Sequence, residues 1–437
     1  MVAEDKLAID GGPPVISDPI PFGVSGPSVV DEEEVEAVSE VLRSQQLFRY
    51  DANSQCHEFE KEAADLLGVG YTLMVTSGTA ALVCAMKGVG LGPGDEAIVS
   101  GYTYIATPAA IIATGAVPVI AEIDDSLGLD PFDVERRITP HTKAIVVTHM
   151  RGVPARLDQI LDIAKRHKLK VVEDCCQIVG GQHKGKAVGS KSDAAAWSLN
   201  YFKTISTGEG GMAYTNDRDV YERILYCSDP GLPMWNTTNT DMEKRGKPQG
   251  QFYDVDYQLE SFPGEGYRAS ELIGAVGRVQ LGKLPKVIEH QRKLKRAFMS
   301  ELDEARSYKH QYVDDSEGDT GVSAGVIVND EDLAKGFAHA LKAEGVEVAA
   351  IFNEGIPDRH IYSAWESILN KRSHHPSGYP WKDPSYKGDV EYSKDMCPNT
   401  LNILGRTLMF SFHMNMTEEQ AKLMARALNK VDASLGT

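Results

Sequence analysis

Helical and strand-like patterns of apolar residues alternate along the first half of the chain. In residues 31–44 and 57–67, apolar side chains recur at helical spacing among charged ones, which predicts two amphipathic helices. Short apolar runs then predict strands at residues 72–76, 96–100, 117–121, 144–148, 170–173 and 194–199. Helical stretches separate several of these runs, at residues 79–87, 106–114 and 157–167. Such alternation predicts an α/β fold in which helices cover both faces of a mostly parallel sheet.

The pattern changes after about residue 228. Residues 228–264 are rich in Pro, Gly, Asn, Asp and aromatic side chains and show no period, which is typical of a functional loop or an interface arm. Beyond this arm, periodic segments predict a strand at 325–328 and helices at 268–281, 283–305, 333–344 and 417–435. Thr417 and Gln420 have the spacing of a capping box at the start of the last helix.

This change of pattern divides the 437 residues into two predicted domains. A large domain is predicted over residues 1–285, with an N-terminal arm at residues 1–30. A smaller α+β domain is predicted over residues 286–437, and its polar, Pro-containing residues 373–399 are expected to form a surface loop.

The composition excludes several functional classes. Hydrophobic residues make up 42% and charged residues 25% of the chain, and the net charge of −18 disfavours nucleic acid or an anionic membrane as a partner. No apolar run of about eighteen residues predicts a membrane span, and the first residues lack the features of a signal peptide. The six cysteines lack the spacing of a zinc site or a disulfide framework, so we expect reduced thiols, no metal and a cytoplasmic protein.

A turn of small residues joins a predicted strand to a predicted helix at residues 76–81. Such a turn presents free backbone N–H groups and the positive end of the helix dipole, which suits a phosphate, although an ordinary N-cap looks the same. The glycine-rich residues 88–94 follow a helix and do not fit the G-x-G-x-x-G spacing. They are therefore interpreted as a helix stop rather than a dinucleotide site.

Two further segments carry candidate catalytic residues. Glu173 and Asp174 end a predicted parallel strand, where a carboxylate can pair with a protonated pyridine nitrogen or simply cap a helix. Lys203 follows the apolar and aromatic residues 198–202 and precedes a glycine-rich turn at residues 207–211. A lysine in this setting loses its proton more readily than a solvated one and can attack an aldehyde.

The order and spacing of these segments resemble the DegT/DnrJ/EryC1/StrS sugar aminotransferases, a family of fold-type I enzymes that use pyridoxal 5′-phosphate (PLP). The resemblance covers nearly the whole chain and includes residues 7–12, 93–96, 102–104 and 115–118, the two residues His149 and Gly152, and residues 184–193 and 268–271. It implies a large domain with a mixed, mostly parallel seven-stranded sheet flanked by helices, and a smaller C-terminal α+β domain.

The resemblance also implies roles for individual residues. Lys203 would hold PLP as a Schiff base and move the proton during the reaction, while Asp174 would pair with the pyridinium nitrogen. The other implied contacts are Tyr104 stacked on the ring, Gln177 near the phenolic oxygen, and Gly78, Thr79 and Ser198 at the phosphate.

A homodimer with shared active sites is a further implication. The arm at residues 228–264 would reach the partner's site, and Arg268 would contribute to it from the neighbouring subunit. The chain departs from the family at two positions: Gly266 stands where an Asn usually reaches the partner's phosphate, and Asn200 stands where many members have His.

The implied reaction is a ping-pong transfer of an amino group from glutamate or glutamine to a keto or aldehydo sugar, nucleotide-activated or free, or to a cyclitol. Such reactions belong to amino-sugar or natural-product biosynthesis, including antibiotics. Lys203 favours transamination, since relatives that dehydrate sugars carry His at this position. A PLP-dependent dehydratase or epimerase and a non-catalytic PLP-binding protein are the alternatives.

Substrate specificity is expected to depend on the arm, on residues 352–362 and on residues 373–399. Within the family, residues 48–50, 241–245 and 361–365 resemble the branch that acts on long-chain sugars, such as 8-amino-3,8-dideoxy-octulosonate transaminase.

Overall fold

A seven-stranded sheet lies at the centre of the larger part of the molecule. The computed structural model describes residues 6–50, 54–230, 259–352 and 358–436. The strands of this sheet and of two smaller ones are β1 (Tyr71–Val75), β2 (Glu96–Ser100), β3 (Val117–Ala121), β4 (Thr142–Thr148), β5 (Lys170–Asp174), β6 (Gln182–His183), β7 (Lys186–Ala187), β8 (Ala194–Ser198), β9 (Gly211–Thr215), β10 (Tyr308–His310), β11 (Ser323–Val328) and β12 (Thr407–Ser411).

The order of the large sheet is β1-β9-β8-β5-β4-β2-β3, and β9 runs antiparallel to both of its neighbours. The remaining pairs are parallel, so the predicted α/β fold with a mixed, mostly parallel seven-stranded sheet is confirmed. Strand β9 was not predicted, because its short run begins at Gly211 and continues a glycine-rich turn. The strands β2, β3, β8 and β9 are buried along their whole length, as expected where helices cover both faces.

Helices cover the large sheet and the smaller one. They are α1 (Ser25–Ser28), α2 (Glu32–Ser44), α3 (Gln55–Leu67), α4 (Gly78–Gly88), α5 (Ala106–Thr114), α6 (Pro131–Arg136), α7 (Leu157–His167), α8 (Arg218–Ser228), α9 (Glu271–Glu301), α10 (Glu331–Ala343), α11 (Glu366–Leu369), α12 (Pro398–Gly405) and α13 (Glu418–Leu435). The predicted capping box of the last helix is confirmed, since the Thr417 side chain accepts from Gln420 N and the Gln420 side chain accepts from Thr417 N.

Helix α4 is the central helix of the large core. Residues 80–86 are all buried, and the helix packs on β8 and between α5 and α8. A helix that is apolar on all sides belongs in the interior of a large domain. Its N-terminus is therefore held rigidly at one end of the sheet.

The smaller antiparallel sheet has the order β10-β11-β12 and packs with α10 and α13 around a second core. Helix α9 runs without interruption through the predicted domain boundary at residue 285, although Pro285 lies inside it. Leu7 and Ile16 of the N-terminal arm pack in this second core, and the division into two domains at residue 285 stays a prediction. Within the described residues, no helix is long and apolar enough to cross a membrane.

Candidate active site

Three elements converge at one end of the large sheet: the C-terminal ends of β5 and β8 and the N-terminus of α4. The approach is so close at Gly78 that a Cβ atom there would lie 2.6 Å from Ser198 Cβ and 3.2 Å from Cys176 Sγ. Contacts between carbon atoms below 3.0 Å do not occur, so this position requires glycine. The carboxyl ends of parallel strands are where open α/β sheets bind their ligands.

The first turn of α4 offers free backbone donors. Ser77 caps the helix, and its hydroxyl accepts a hydrogen bond of 3.1 Å from the Ala80 amide. The amides of Gly78 and Thr79 have no acceptor within the helix, because the first residues of any helix lack one. Buried Ser198 lies beside this turn. The residues predicted to hold a phosphate are thus brought together at the positive end of a helix dipole.

Asp174 lies at the end of β5 as a buried carboxylate. Its Oδ2 accepts a 2.7 Å hydrogen bond from Thr107, and its Oδ1 accepts one of 3.1 Å from the Cys176 amide. Two more hydroxyls extend the chain, since Thr148 donates to Thr103 at 3.0 Å and Thr103 lies 2.8 Å from Thr107. No salt bridge meets Asp174 in the part of the chain that the structure describes, so a cationic ligand could pair with it.

Glu173 precedes Asp174 in the strand and serves a structural purpose on the opposite face. Its Oε2 lies 2.8 Å from His149 Nε2 and accepts from the Gly189 amide, also at 2.8 Å. Because His149 Nδ1 accepts from the Ala155 amide, Nε2 carries the proton and donates it to Glu173. Cys175 lies within reach of the same pair, and burial followed by the Glu173 charge raises the pKa of its thiol. These hydrogen bonds hold β5 in place.

Lys203 is partly buried in a tight loop after β8. Asn200 organises the loop: its carbonyl accepts from the Lys203 amide at 3.0 Å, its side-chain oxygen accepts from Phe202 N, and its amide donates to Glu209. The Lys203 carbonyl accepts from the Gly26 amide at 3.1 Å. Within the described residues, no carboxylate forms a salt bridge with Lys203. Its amine is therefore available to a ligand, and Asn200 fixes the loop instead of lining the site.

A cavity of about 1040 Å³ opens beside Lys203. Cys176, Gln177 and Arg151 form one part of its wall, and residues 411–413 and 345–349 of the smaller domain form another. Residues 16–25 close a further side. The volume suits a substrate larger than an amino acid alone.

The structure places the remaining predicted site residues as follows. Gln177 lines the cavity, and its side-chain oxygen accepts from the Arg151 amide at 3.2 Å. Tyr104 is exposed, and its ring centre lies 5.2 Å from that of His360, which lines the cavity. Arg268 does not line the cavity of its own chain and forms a 2.6 Å salt bridge with Asp229.

The structure places the two segments expected to set specificity, residues 352–362 and residues 373–399, differently relative to the cavity. Residues 353–357, like residues 231–258 of the arm, lie outside the described residues, but Asp358 and His360 adjoin the cavity. None of residues 373–399 lines it. Tyr386 instead donates a 2.7 Å hydrogen bond to Glu96 at the start of β2, and Tyr392 donates to the Pro118 carbonyl of the edge strand β3. This loop covers the sheet edge, and its role in specificity stays a prediction.

Sequence reasoning missed Arg151, and it did not single out His360 within the predicted specificity segment 352–362. His360 Nδ1 lies 2.7 Å from Asp358 Oδ1. Burial alone would raise the pKa of Asp358, but the hydrogen bonds from His360 and the charge of Arg151 lower it below its usual value. The sequence signal that was available was the position of Arg151 three residues after the end of a predicted strand.

The arrangement fits PLP. The turn at Gly78 leaves no room for a side chain and offers donors for a phosphate, Asp174 is a buried anion that could pair with a pyridinium, and Lys203 offers a primary amine. Burial and the Asp174 charge raise the pKa of the Cys176 thiol, so this neighbour is neutral and does not compete for a cation.

The chain was compared with known families, curated proteins and solved structures. The profile of the DegT/DnrJ/EryC1/StrS aminotransferase family matches residues 28–377. The spore coat polysaccharide biosynthesis protein SpsC of Bacillus subtilis is 30% identical over 92% of this chain and 95% of its own length. GDP-perosamine synthase of Escherichia coli O157:H7 is 34% identical over 61% of this chain and 68% of its own length.

A cyclitol enzyme is also similar. The L-glutamine:2-deoxy-scyllo-inosose aminotransferase of Streptoalloteichus tenebrarius is 37% identical over 52% of this chain and 53% of its own length. Among solved structures, 3-amino-5-hydroxybenzoic acid synthase superposes with a TM-score of 0.75 at 22% identity, covering 95% of this chain and all of the other. That similarity establishes a shared fold.

Proposed function

This chain belongs to the DegT/DnrJ/EryC1/StrS aminotransferase family of PLP-dependent transaminases, and we propose that it transfers an amino group from glutamate or glutamine to a sugar or cyclitol carbonyl. The observation that carries the proposal is that Lys203 lines a cavity whose wall residue Cys176 adjoins both the buried Asp174 carboxylate and the N-terminus of α4. The acceptor would be a keto or aldehydo compound, free or nucleotide-linked.

Each residue has a defined task in this proposal. When bound, PLP supplies the electron sink that makes a proton on the substrate carbon removable. Lys203 Nζ would hold the cofactor and would accept and return that proton. Asp174 would pair with the ring cation, and the hydrogen bond from Thr107 to its Oδ2 keeps the carboxylate oriented. The amides of Gly78 and Thr79 and the Ser198 hydroxyl bind the phosphate.

The exposed aromatic residues near Lys203 support a homodimer with shared sites. Tyr201, Phe202 and Tyr104 expose 47%, 70% and 42% of their surface, although they lie beside the site. A monomer with such a patch would leave the reacting centre open to water. In the proposed dimer the partner covers these rings, and Arg268 of each subunit serves the neighbouring site.

The names of the relatives support the substrate class. One acts in the biosynthesis of a polysaccharide, one is a GDP-perosamine synthase, and one takes L-glutamine as donor for a scyllo-inosose. We therefore propose a role in amino-sugar or amino-cyclitol biosynthesis. The six cysteines are unpaired in the structure, which supports the proposal of a reducing, cytoplasmic location.

The visible absorption spectrum of the protein with PLP tests the proposal. We expect a band from lysine-bound cofactor that bleaches when glutamate or glutamine is added. A Lys203→Ala variant should retain PLP by its phosphate and ring contacts, lack the band and show no turnover. A band that persists with both donors would contradict amino transfer from either, and a normal band in Lys203→Ala would contradict the assignment of Lys203.

A further inference from the structure

Arg151 has a backbone conformation that favours glycine. It follows β4 with φ 53° and ψ 37°, and the next residue, Gly152, has φ 83°. Left-handed backbone is costly for a residue with a long side chain and persists where the surroundings or the function require it. The hydrogen bonds that hold the turn are made by the Arg151 main chain, whose amide donates to Gln177 and whose carbonyl accepts from Ser323 at 2.9 Å. The turn therefore gives no reason for an arginine side chain at this position.

The Arg151 guanidinium is held by a hydrogen bond through Nε, whereas its two terminal amino groups are not held in this way by any described residue. Nε donates a 3.1 Å hydrogen bond to the hydroxyl of Tyr102, a residue only 3% exposed. Within the described residues, neither terminal amino group of the guanidinium has a hydrogen-bond or salt-bridge partner. Asp358 acts on the guanidinium electrostatically without pairing with it. Two parallel N–H donors are thus left for a ligand.

Arg151 lines the cavity beside Lys203, and the charge of the described cavity wall is opposite to that of the chain. Although the net charge of the protein is −18, the charged residues of the described wall are Arg151, Lys203 and Lys342 against the single acid Glu347. Lys342 and Glu347 are exposed, and Lys203 is assigned to the cofactor. Arg151 is the remaining fixed cation of the wall.

We infer that Arg151 is the specificity residue of this cavity and binds a carboxylate group of a substrate. The planar guanidinium with two free amino groups matches a carboxylate in a bidentate pair, and a neutral hydroxyl would not satisfy the charge. This role of Arg151 rests on the proposed function, which offers two sources of the carboxylate. They are the amino-acid donor and an acidic sugar acceptor. Tyr102 is a positioning residue, because its hydroxyl accepts from Arg151 Nε and so orients the two terminal amino groups of the guanidinium.

The experiment compares holoenzymes that carry Arg151→Gln, Arg151→Lys or Tyr102→Phe with the wild type. Arg296→Gln is the matched control, because it removes the same charge from an exposed side chain that pairs with Glu289 on α9. Bleaching of the visible band gives the half-saturating concentration and the limiting rate with L-glutamate and with L-glutamine. Calorimetry gives the affinity for D-galacturonate, with neutral D-galactose as its control.

We expect Arg151→Gln to weaken a carboxylate ligand roughly 10- to 100-fold, since a hydrogen-bonded charge is lost. Arg151→Lys should recover part of the affinity, because it keeps the charge without the fork. Tyr102→Phe should raise the half-saturating concentration more than it lowers the limiting rate, whereas a general structural defect would change both and the melting temperature. Arg296→Gln should match the wild type.

The arms separate the two sources. If Arg151→Gln binds glutamate and glutamine more weakly but galacturonate as the wild type does, Arg151 binds the carboxylate of the donor. The opposite result assigns Arg151 to the carboxylate of an acidic acceptor. The inference is overturned if Arg151→Gln handles all three as the wild type does, or if the wild type binds none of them. A wild type that fails to bleach yet binds galacturonate through Arg151 would contradict the proposed amino transfer and leave the carboxylate site standing.

Discussion

The Thr107 hydroxyl donates a 2.7 Å hydrogen bond to the Asp174 carboxylate, joining helix α5 to the end of strand β5. Because Thr107 gives its proton to Asp174, it accepts from Thr103, and Thr103 accepts in turn from Thr148. The buried carboxylate is therefore oriented by hydroxyls, and no salt bridge meets it within the described residues. This arrangement leaves the charge of Asp174 for a ligand.

Replacing Thr107 with Val should weaken the binding of PLP. The substitution keeps the shape of the side chain and removes a hydrogen bond to a charged acceptor, worth about 1.5–3 kcal/mol. We expect the apparent Kd for PLP, measured by titrating the apoprotein and following the visible band, to rise about tenfold or more. Thr114→Val is the control on the same helix, since its hydroxyl donates only to the Ile111 carbonyl. Equal Kd values for the two variants would contradict the role of Thr107.

Adding a methyl group at Gly78 should disturb the phosphate-binding turn. An Ala side chain would lie 2.6 Å from Ser198 Cβ, so the N-terminus of α4 must move away from β8. We expect a loss of about 1–3 kcal/mol in stability, as for other overpacked positions, together with weaker retention of PLP. Gly282→Ala is the contrast, because no atom lies within 4 Å of the added carbon in the interior of α9. That variant should gain about 0.5–1 kcal/mol in urea unfolding.

Arg49 should be required for folding rather than for substrate binding. It donates to the Met74 carbonyl at 2.9 Å and forms a 2.7 Å salt bridge with Glu60, and the two side chains are 3% and 1% exposed. Arg49→Met leaves Glu60 buried without its cation and should cost about 3–5 kcal/mol in chemical denaturation.

A double variant of Arg49→Met with Glu60→Leu should recover much of that loss, since no buried charge remains. Arg43→Met, which breaks an exposed pair with Glu36, should change stability by less than about 1 kcal/mol. If the double variant is no more stable than Arg49→Met alone, the explanation by an unpaired charge is wrong.

His57 should make the protein less stable at acidic pH. Burial, reinforced by the charges of Arg49 and Lys61, lowers the pKa of His57 from 6.5 to about 4. The unfolded chain therefore binds more protons between these values, and the free energy of unfolding falls as the pH decreases through this window, by up to about 3 kcal/mol.

The comparison of wild type with His57→Phe isolates this effect. Urea midpoints at pH 7.5 and pH 5 should differ less in the variant, because Phe does not titrate. An identical pH dependence in both proteins would show that other groups are responsible.

Much of the large sheet could be predicted because its elements are long and periodic. The predicted bounds agree with the structure for β2, β3, α5 and α7. Strand β12 was missed because it is short, has only three apolar residues, Leu408, Met409 and Phe410, and begins two residues after the end of α12. The single helix α9 was predicted as two segments, since Gly282 and Pro285 resemble a break, yet its buried face stabilises it throughout.

The cofactor residues could be proposed because each occupies a characteristic local position, such as Asp174 at a strand end and Gly78 at a helix start. Arg151 and His360 could not, since more than 200 residues separate them and only the folded chain places both at one cavity. The left-handed turn at Arg151 has no periodic signal either. Specificity residues of this kind depend on tertiary contacts that local patterns do not contain.

The first residues of the chain join the two parts of the site. Leu7 and Ile16 pack in the core of the smaller domain, the Ile16 amide donates to the Glu344 carbonyl at 3.0 Å, and Gly26 donates to the carbonyl of Lys203. A chimera that exchanges the small domain for that of a relative, in order to change the accepted sugar, must therefore exchange residues 6–25 with it. A crossover placed only within α9 would combine cavity residues 16–25 of one parent with cavity residues 345–349 and 411–413 of the other. The two sets of side chains would then not be matched to each other.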